Sequence, residues 1–154
     1  MIDFDVYAKV FAEKGEPLEF GTPVTWSEVK RVGDNLQLLI EGQYAEFLTK
    51  VGGLAIFNSW INGVYKEDLL TIAAGNVNGD TLRMRERGLP SKYIVVRTSD
   101  DEFAFCLDSS IHLESPVYGV EIPFAGSVEK IAANFNCYIK ESLVETIKVI
   151  DEDR

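Results

Sequence analysis

The residues of this chain that could form a reactive group are Cys106, Asp108 and His112, the only histidine among the 154 residues. They lie within or just beyond the stretch TSDDEFAFCLD, Thr98–Asp108, in which three consecutive acidic residues precede an apolar run. A cysteine nucleophile needs an imidazole within reach of its sulfur and a partly exposed site that lowers the thiol pKa. Reactivity therefore depends on whether the local structure exposes this cysteine.

The segment FAFCL predicts a strand that is buried on both faces. Successive side chains of a strand point to opposite faces, which places Phe103, Phe105 and Leu107 on one face and Ala104 and Cys106 on the other. A buried thiol without a neighbouring cation is inert. We therefore predict that this thiol packs in the core and that the stretch carries no catalytic residues.

The cysteine and histidine content predicts neither a metal site nor a cofactor. Cys106 and Cys137 are too few for a disulfide framework or a four-ligand zinc site, although they could pair with each other. We predict two reduced thiols with packing roles. A single histidine with scattered carboxylates does not supply a transition-metal set, so His112 is expected in an ordinary loop.

Two short segments resemble ligand-binding loops but lack the residues that would complete them. NVNGD, Asn76–Asp80, resembles the start of a calcium loop without the glutamate that closes it, and is predicted to be a turn. The pair Gly52 and Gly53 lacks the glycine spacing that cradles phosphate and is predicted to end a helix.

Net charge favours a protein partner over a nucleic acid. With 15 basic and 25 acidic residues the chain carries a formal charge of −10, which repels phosphate backbones and attracts basic proteins, although acidity for solubility alone is common. The acidic run Asp100, Asp101 and Glu102 is expected at a hairpin tip. Trp60 and Tyr118, like Trp26, are expected to pack in the core unless they serve as binding hot spots.

Helical periodicity dominates the N-terminal third of the chain. One helix is expected to end at Gly15 and Pro17, and a second to start at Thr25, which can form a capping box with Glu28. A third is predicted from about residue 42 to residue 50, before the diglycine. The first 17 residues lack the pattern of a secretory signal, so we expect a cytoplasmic protein that does not enter a membrane.

The rest of the chain is predicted to be mainly sheet, closed by a helix. Strands are expected at 54–57, 60–65, 93–96, 103–107 and 116–122, with a short helix at 67–75 and another over 81–87. Ser127 is expected to cap a long C-terminal helix, followed by a frayed tail at 151–154. This order indicates one α+β domain over residues 1–154, with a twisted, mostly antiparallel sheet flanked by helices.

Five segments, in this order, resemble the SUKH superfamily of cell-wall assembly regulators and bacterial toxin-immunity proteins. They are YAEFLTKVGGLAIF, RERGLPSKYIVV, DDEFAFCLDSS, ESPVYGV and IAANFNCYI, and the resemblance spans residues 24–147. It implies a mixed, largely antiparallel sheet, no catalytic residues and function through protein binding, typically neutralisation of a cognate toxin such as a nuclease.

The leading hypothesis is therefore an immunity protein that binds a basic toxin domain, with Asp100, Asp101, Glu102, Trp60 and Tyr118 as candidate contacts. The first alternative is a protein-interaction module of the cell-wall or signalling regulator type. The second is a small enzyme or ligand-binding protein with a pocket beside the sheet. The oligomeric state and the identity of the partner do not follow from the residues.

Overall fold

A computed structural model describes residues 2–153 of the chain. Within them the chain forms five helices and seven strands. In chain order these are α1 (Phe4–Glu13), β1 (Glu19–Phe20), α2 (Trp26–Leu36), α3 (Gly42–Lys50), β2 (Leu54–Ile56), β3 (Ser59–Ile61), α4 (Val77–Glu86), β4 (Tyr93–Ser99), β5 (Phe103–Asp108), β6 (Val117–Glu121), β7 (Val128–Ala132) and α5 (Phe135–Glu152).

The strands form two antiparallel sheets, with the orders β1-β2-β3 and β4-β5-β6-β7. The sheets meet where the backbone N–H of Asn62, just after β3, donates to the carbonyl of Val96 in β4 at 2.8 Å. An isolated parallel bridge joins Gly63 to Asn76. The predicted α+β class, with a largely antiparallel sheet, flanking helices and a long C-terminal helix, is confirmed.

Both faces of the four-stranded sheet are covered, as the apolar run in β5 predicted. On one face Leu107 and Phe105 belong to the larger core, which also takes in buried side chains of α1, α2, α3 and α5. On the other face Ala104 and Cys106 pack with Met84 of α4. The alternation of side chains along β5 therefore divides the interior into two apolar clusters.

Local helix signals in the N-terminal third are confirmed. The Thr25 hydroxyl accepts the backbone N–H of Glu28 at 3.1 Å, and the Glu28 carboxylate accepts the backbone N–H of Thr25 at 2.9 Å. The hydrogen bond from the Thr25 backbone N–H has the largest effect in lowering the pKa of Glu28 below its ordinary value, and the hydrogen bond from Lys66 lowers it further. Both groups at this helix start are thus paired, as a capping box requires.

The predicted helix at 67–75 is wrong, and so is the predicted turn at 76–80. Residues 67–75 form turns and loop, and α4 begins directly after Asn76, whose side chain accepts the N–H of Gly79 at 2.8 Å. The Thr71 hydroxyl accepts the N–H of Ala73, and Asn78 donates its amide to the Thr71 carbonyl. These side chains satisfy backbone groups locally and so compete with a helix before residue 76.

The start of the C-terminal helix is also corrected. Residues 128–132 form β7, which pairs antiparallel with β6, and the N-cap is Asn134 rather than Ser127. The Asn134 side chain accepts the N–H of Cys137 at 2.9 Å. The helix continues to Glu152, so the tail predicted to fray is ordered there, and Asp151 pairs with Lys14 at 2.5 Å. Arg154 lies outside the described residues.

Among the helices of residues 2–153, none has both the length and the apolar character needed to cross a membrane.

Candidate protein-binding surface

The acidic run lies where the sequence predicted it, at the tip of the β4–β5 hairpin. Asp100 and Asp101 are the two central residues of the turn, with φ of 53° and 55°. Two central residues with positive φ give the turn the twist of the flanking strands, and aspartate tolerates that backbone region better than most residues. The turn therefore projects the side chains of Asp100 and Glu102 into solvent.

Asp101 is held by helix α4 and is not a free charge. Its carboxylate accepts the Arg83 guanidinium at 3.0 Å, and its backbone carbonyl accepts Arg87. Arg83 also pairs with Asp80 at 2.8 Å, so one guanidinium joins the hairpin tip to a buried carboxylate. Of the three predicted contact acids, Asp100 and Glu102 remain without a cationic partner within residues 2–153.

Trp60 in β3 is partly exposed, at 37% of its surface, and its ring is fixed in place. The indole N–H donates to the carbonyl of Gly75 at 2.5 Å. The six-membered ring lies against Gly53, because a Cβ added there would meet two of its atoms at 3.1 Å. An aromatic ring that is rigid before binding loses little conformational entropy on binding, which is typical of hot-spot residues.

Trp60 lines two clefts. The smaller one, of about 280 Å³, runs from β3 to the hairpin and brings Trp60 together with Asp100. The larger one, of about 540 Å³, lies between Trp60 and the segment around Tyr65 and is floored by glycine backbone. The structure thus unites two of the five residues predicted to contact a partner at one cleft, with Asp101 and Glu102 next to Asp100 in the same turn.

Tyr118 is not part of this surface. It lies on β6 opposite Cys106, on the sheet face that α4 covers, and is part-buried against Tyr93 with ring centroids 6.4 Å apart. It lines neither cleft beside Trp60. Trp26, for which core packing was predicted, is instead 61% exposed at the start of α2 and likewise lines neither of these clefts.

A buried polar cluster lies at the smaller cleft, which Asn62 and Asp80 line. Asp80 is only 1% exposed, and its carboxylate accepts the Asn62 amide at 2.9 Å and the N–H of Gly75 at 3.2 Å in addition to Arg83. The Asn62 backbone carbonyl in turn accepts the Tyr44 hydroxyl at 2.6 Å. Hydrogen bonds among these buried groups fix the local geometry, although the buried Nε of Arg83 has no partner within residues 2–153. The NVNGD segment, predicted to be a turn, instead starts helix α4 and supplies Asp80 to this buried cluster.

Cys106, Asp108 and His112 do not form a reactive group. Burial raises the pKa of Cys106 to about 12. Burial also raises the pKa of Asp108, but hydrogen bonds from the side chain and backbone of Ser110 and from Lys92 outweigh it and hold that pKa below its ordinary value. His112 instead pairs with Glu41 at 2.7 Å. A cysteine nucleophile at Cys106 would therefore lack both an imidazole partner and a thiolate.

We expect thiol reagents to distinguish the two cysteines, which are both free. At pH 8, iodoacetamide should label the part-exposed Cys137 and leave the native Cys106 unlabelled until urea unfolds the chain, as peptide mass spectrometry would report. The Cys137→Ser variant should then show almost no labelling in its native state. Rapid native labelling of Cys106 would contradict the buried assignment.

The same thiol makes stability depend on alkaline pH. The pKa of Cys106 is about 12 in the folded chain against 9.0 ordinarily, so its contribution is complete below pH 9 and is lost as pH rises toward 12. The loss should approach roughly 1.4 kcal/mol per pH unit in that window. Urea titrations at pH 8 and pH 10.5 should show a smaller pH dependence for Cys106→Ala than for the parent chain, and equal dependence would contradict this assignment.

No group of three or more histidine, cysteine or carboxylate side chains within residues 2–153 has the arrangement to hold a metal ion.

A sequence model of the family described as SMI1-KNR4 cell-wall, SUKH_5, matches residues 9–144. That range contains both clefts, the hairpin tip and the buried polar cluster. In a comparison with curated proteins, none matches the chain.

Proposed function

The chain belongs to the SMI1-KNR4 cell-wall family, and from this premise we propose that it is a non-catalytic domain that acts by binding another protein. We propose more specifically that it is a cytoplasmic bacterial immunity protein, and that its partner is a basic toxin domain, such as a nuclease, which it neutralises. The observation that carries the proposal is the pre-ordered Trp60, which lines two open clefts, one of which also contains Asp100.

In the proposed mechanism, the acidic residues attract the toxin and Trp60 supplies the binding contact. The net charge of −10 attracts a basic active-site cleft and speeds the encounter, together with Asp100 and Glu102, which have no cationic partner in the described part of the chain. Trp60 then supplies contact area at low entropic cost, as a tryptophan hot spot does. Once bound, the domain excludes the substrate of the toxin by occupying its basic cleft, and no chemical step is needed.

Co-expression is the direct test. The chain should protect a bacterial host from one of the toxin domains encoded beside its gene, and the purified pair should associate with an affinity that falls as salt rises. The gene immediately upstream supplies the first candidate. If no neighbouring toxin domain is neutralised and none is bound, the immunity function is wrong.

The hairpin tip provides a variant that changes charge without changing the turn. Asp100→Asn keeps a residue that tolerates positive φ, so folding should be unaffected while the association rate with the toxin falls about threefold at low salt. Stopped-flow fluorescence at 20 mM and 300 mM salt would measure the rate, and the difference between parent and variant should vanish at the higher salt.

Asp34→Asn is the matched control, because it removes one exposed carboxylate from α2, away from both Trp60 clefts. It should leave the association rate within about 1.3-fold of the parent value. Equal slowing by the two variants would mean that overall charge, and not the hairpin tip, guides the encounter.

The family description also supports a second function, a regulatory interaction module of the cell-wall type. A module of that kind binds several partners and tolerates charge removal at the hairpin. Affinity capture with Asp100→Asn distinguishes the two: a regulator retains its set of partners at both salt concentrations, whereas an immunity protein loses binding to a single basic partner as salt rises.

A further inference from the structure

We propose that the larger cleft beside Trp60 receives an arginine side chain of the partner protein, held between the aromatic rings of Trp60 and Tyr65. This inference rests on the proposed protein-binding function and names the chemistry of the group that the surface recognises. It concerns the cleft of about 540 Å³ whose walls include these two rings and whose floor includes Gly52 and Gly63.

Trp60 offers the cleft a ring face and not a hydrogen-bond donor. Because the indole N–H of Trp60 is already donated to Gly75 at 2.5 Å, the ring has only its π surface left for a ligand. Tyr65 is 55% exposed and lines the same cleft. A planar guanidinium stacks on such faces better than an ammonium does, and tryptophan is the strongest aromatic acceptor of a cation.

The charges around the cleft favour a cationic ligand. Among residues 2–153 the one cation that lines it is Lys66, which is paired with Glu28 at 2.9 Å. Its lining carboxylate, Glu67, has no ion-pair partner within the described chain. Across Trp60, Arg97 donates to Tyr138 and Ser59 and lies 5.0 Å above the Phe105 ring, so it is engaged away from the larger cleft.

Backbone segments meet closely at the glycines that line the cleft. A Cβ on Gly63 would lie 1.7 Å from the carbonyl oxygen of Gly52, and a Cβ on Gly21 would lie 2.8 Å from the same atom. These glycines let the backbone segments pack closely, and the long stem of an arginine can lie along the cleft that they line while its head reaches the rings. A second copy of this chain is the less favoured occupant, since each copy carries a charge of −10.

A peptide probe tests the cleft without any toxin. The peptides acetyl-Gly-Arg-Gly-amide and acetyl-Gly-citrulline-Gly-amide differ in charge and hardly in shape. Titrated up to about 10 mM against the full chain labelled with ¹⁵N, the arginine peptide should shift the Trp60 indole resonance and bind at least about fivefold more tightly than the citrulline peptide. Equal binding, or no shift of the Trp60 indole, would overturn the proposal.

Two variants complete the test. Tyr65→Ala removes an exposed ring and should weaken arginine-peptide binding about threefold or more, as the shift of the Trp60 indole resonance reports. Trp26→Ala removes the other exposed tryptophan and should leave binding unchanged. A Tyr65→Ala variant that binds as well as the parent, or a Trp26→Ala variant that loses binding, would contradict the site.

The peptide and co-expression experiments test the two proposals separately, so either proposal can be contradicted without the other. Neutralisation of a toxin by a chain that does not distinguish arginine from citrulline would uphold the protein-binding function and remove the arginine cleft. Selective arginine binding by a chain that neutralises no neighbouring toxin would uphold the cleft and remove the immunity function.

Discussion

Replacing Asp80 by alanine should lower the free energy of unfolding by about 3 kcal/mol, because it removes the buried carboxylate of an ion pair whose Arg83 side chain is part-exposed. The carboxylate is nearly inaccessible and accepts three donors, from Arg83, Asn62 and Gly75. Alanine leaves one N–H of the buried Asn62 amide without an acceptor, because only the other can donate to the Val95 carbonyl at 3.2 Å. An unsatisfied buried donor costs about 1 to 3 kcal/mol, whereas the Gly75 N–H is only part-buried and water can replace its acceptor. Arg83 retains Asp101 as a partner, which keeps the loss near the lower end of the range for buried pairs.

Urea denaturation followed by circular dichroism would measure this loss. Asp80→Asn is the second variant: it keeps the shape but replaces one acceptor oxygen by a donor that faces another donor, so it should also destabilise the fold, by less than alanine does. Asp34→Ala breaks an exposed i,i+4 pair with Lys30 and should cost at most about 0.5 kcal/mol. If Asp80→Ala costs no more than Asp34→Ala, the buried cluster does not stabilise the fold.

Capping, helix-stop and alternation patterns in the sequence correctly predicted the elements whose structure is set by neighbouring residues. The capping box of Thr25 and the diglycine stop after α3 were both read from adjacent residues, and both are present, with Gly52 at φ 84°. The run of apolar residues in β4 and the alternation in β5 predicted the sheet buried on both faces. In each case the physical cause lies within a few residues of its effect.

The errors arose where distant partners decide the structure. Residues 128–132 are compatible with helical periodicity, but their pairing with β6 makes them a strand, and Asn134 then caps the helix. Asn78 and Asp80 looked like turn residues because polar side chains usually stay in water. Their partners, Asn35 and Asn62, lie 43 and 18 residues away, so only the folded chain shows that they are buried and paired.

The same distinction applies to the candidate surface: the part set by nearby residues was predicted, and the part set by contacts between distant segments was not. The hairpin tip follows from a polar turn between two apolar runs, and its position at Asp100 and Asp101 was predicted correctly. That Arg83 and Arg87 hold Asp101 depends on how α4 packs beside the hairpin. The cleft that Trp60 and Tyr65 line forms where loop 71–75 lies close to Gly21, Gly52 and Gly63. The spacing of apolar residues in the sequence does not indicate this contact. Tyr65 and Gly63 were therefore missed as members of the surface.

Replacing Gly63 by alanine should destabilise the chain by at least about 3 kcal/mol, beyond the usual cost of overpacking. The added Cβ would lie 1.7 Å from the Gly52 carbonyl oxygen and 3.0 Å from the Gly53 Cα, and both of those atoms belong to the backbone. Relief requires the segment after β3 to move away from the end of α3, which strains the Gly63–Asn76 bridge and the hydrogen bond from Val77 N–H to the Gly63 carbonyl at 3.0 Å.

Gly126→Ala separates this steric cost from a general intolerance of glycine replacement. Gly126 has φ 96°, which disfavours any side chain, but nothing lies within 4 Å of its added Cβ. Its replacement should therefore cost about 1 to 2 kcal/mol of backbone strain and no more. Thermal and urea unfolding of the two variants would rank them, and a Gly63→Ala cost at or below that of Gly126→Ala would contradict the backbone contact. Because Gly63 and Gly52 both line the larger cleft, a folded Gly63→Ala chain should also lose its preference for the arginine peptide.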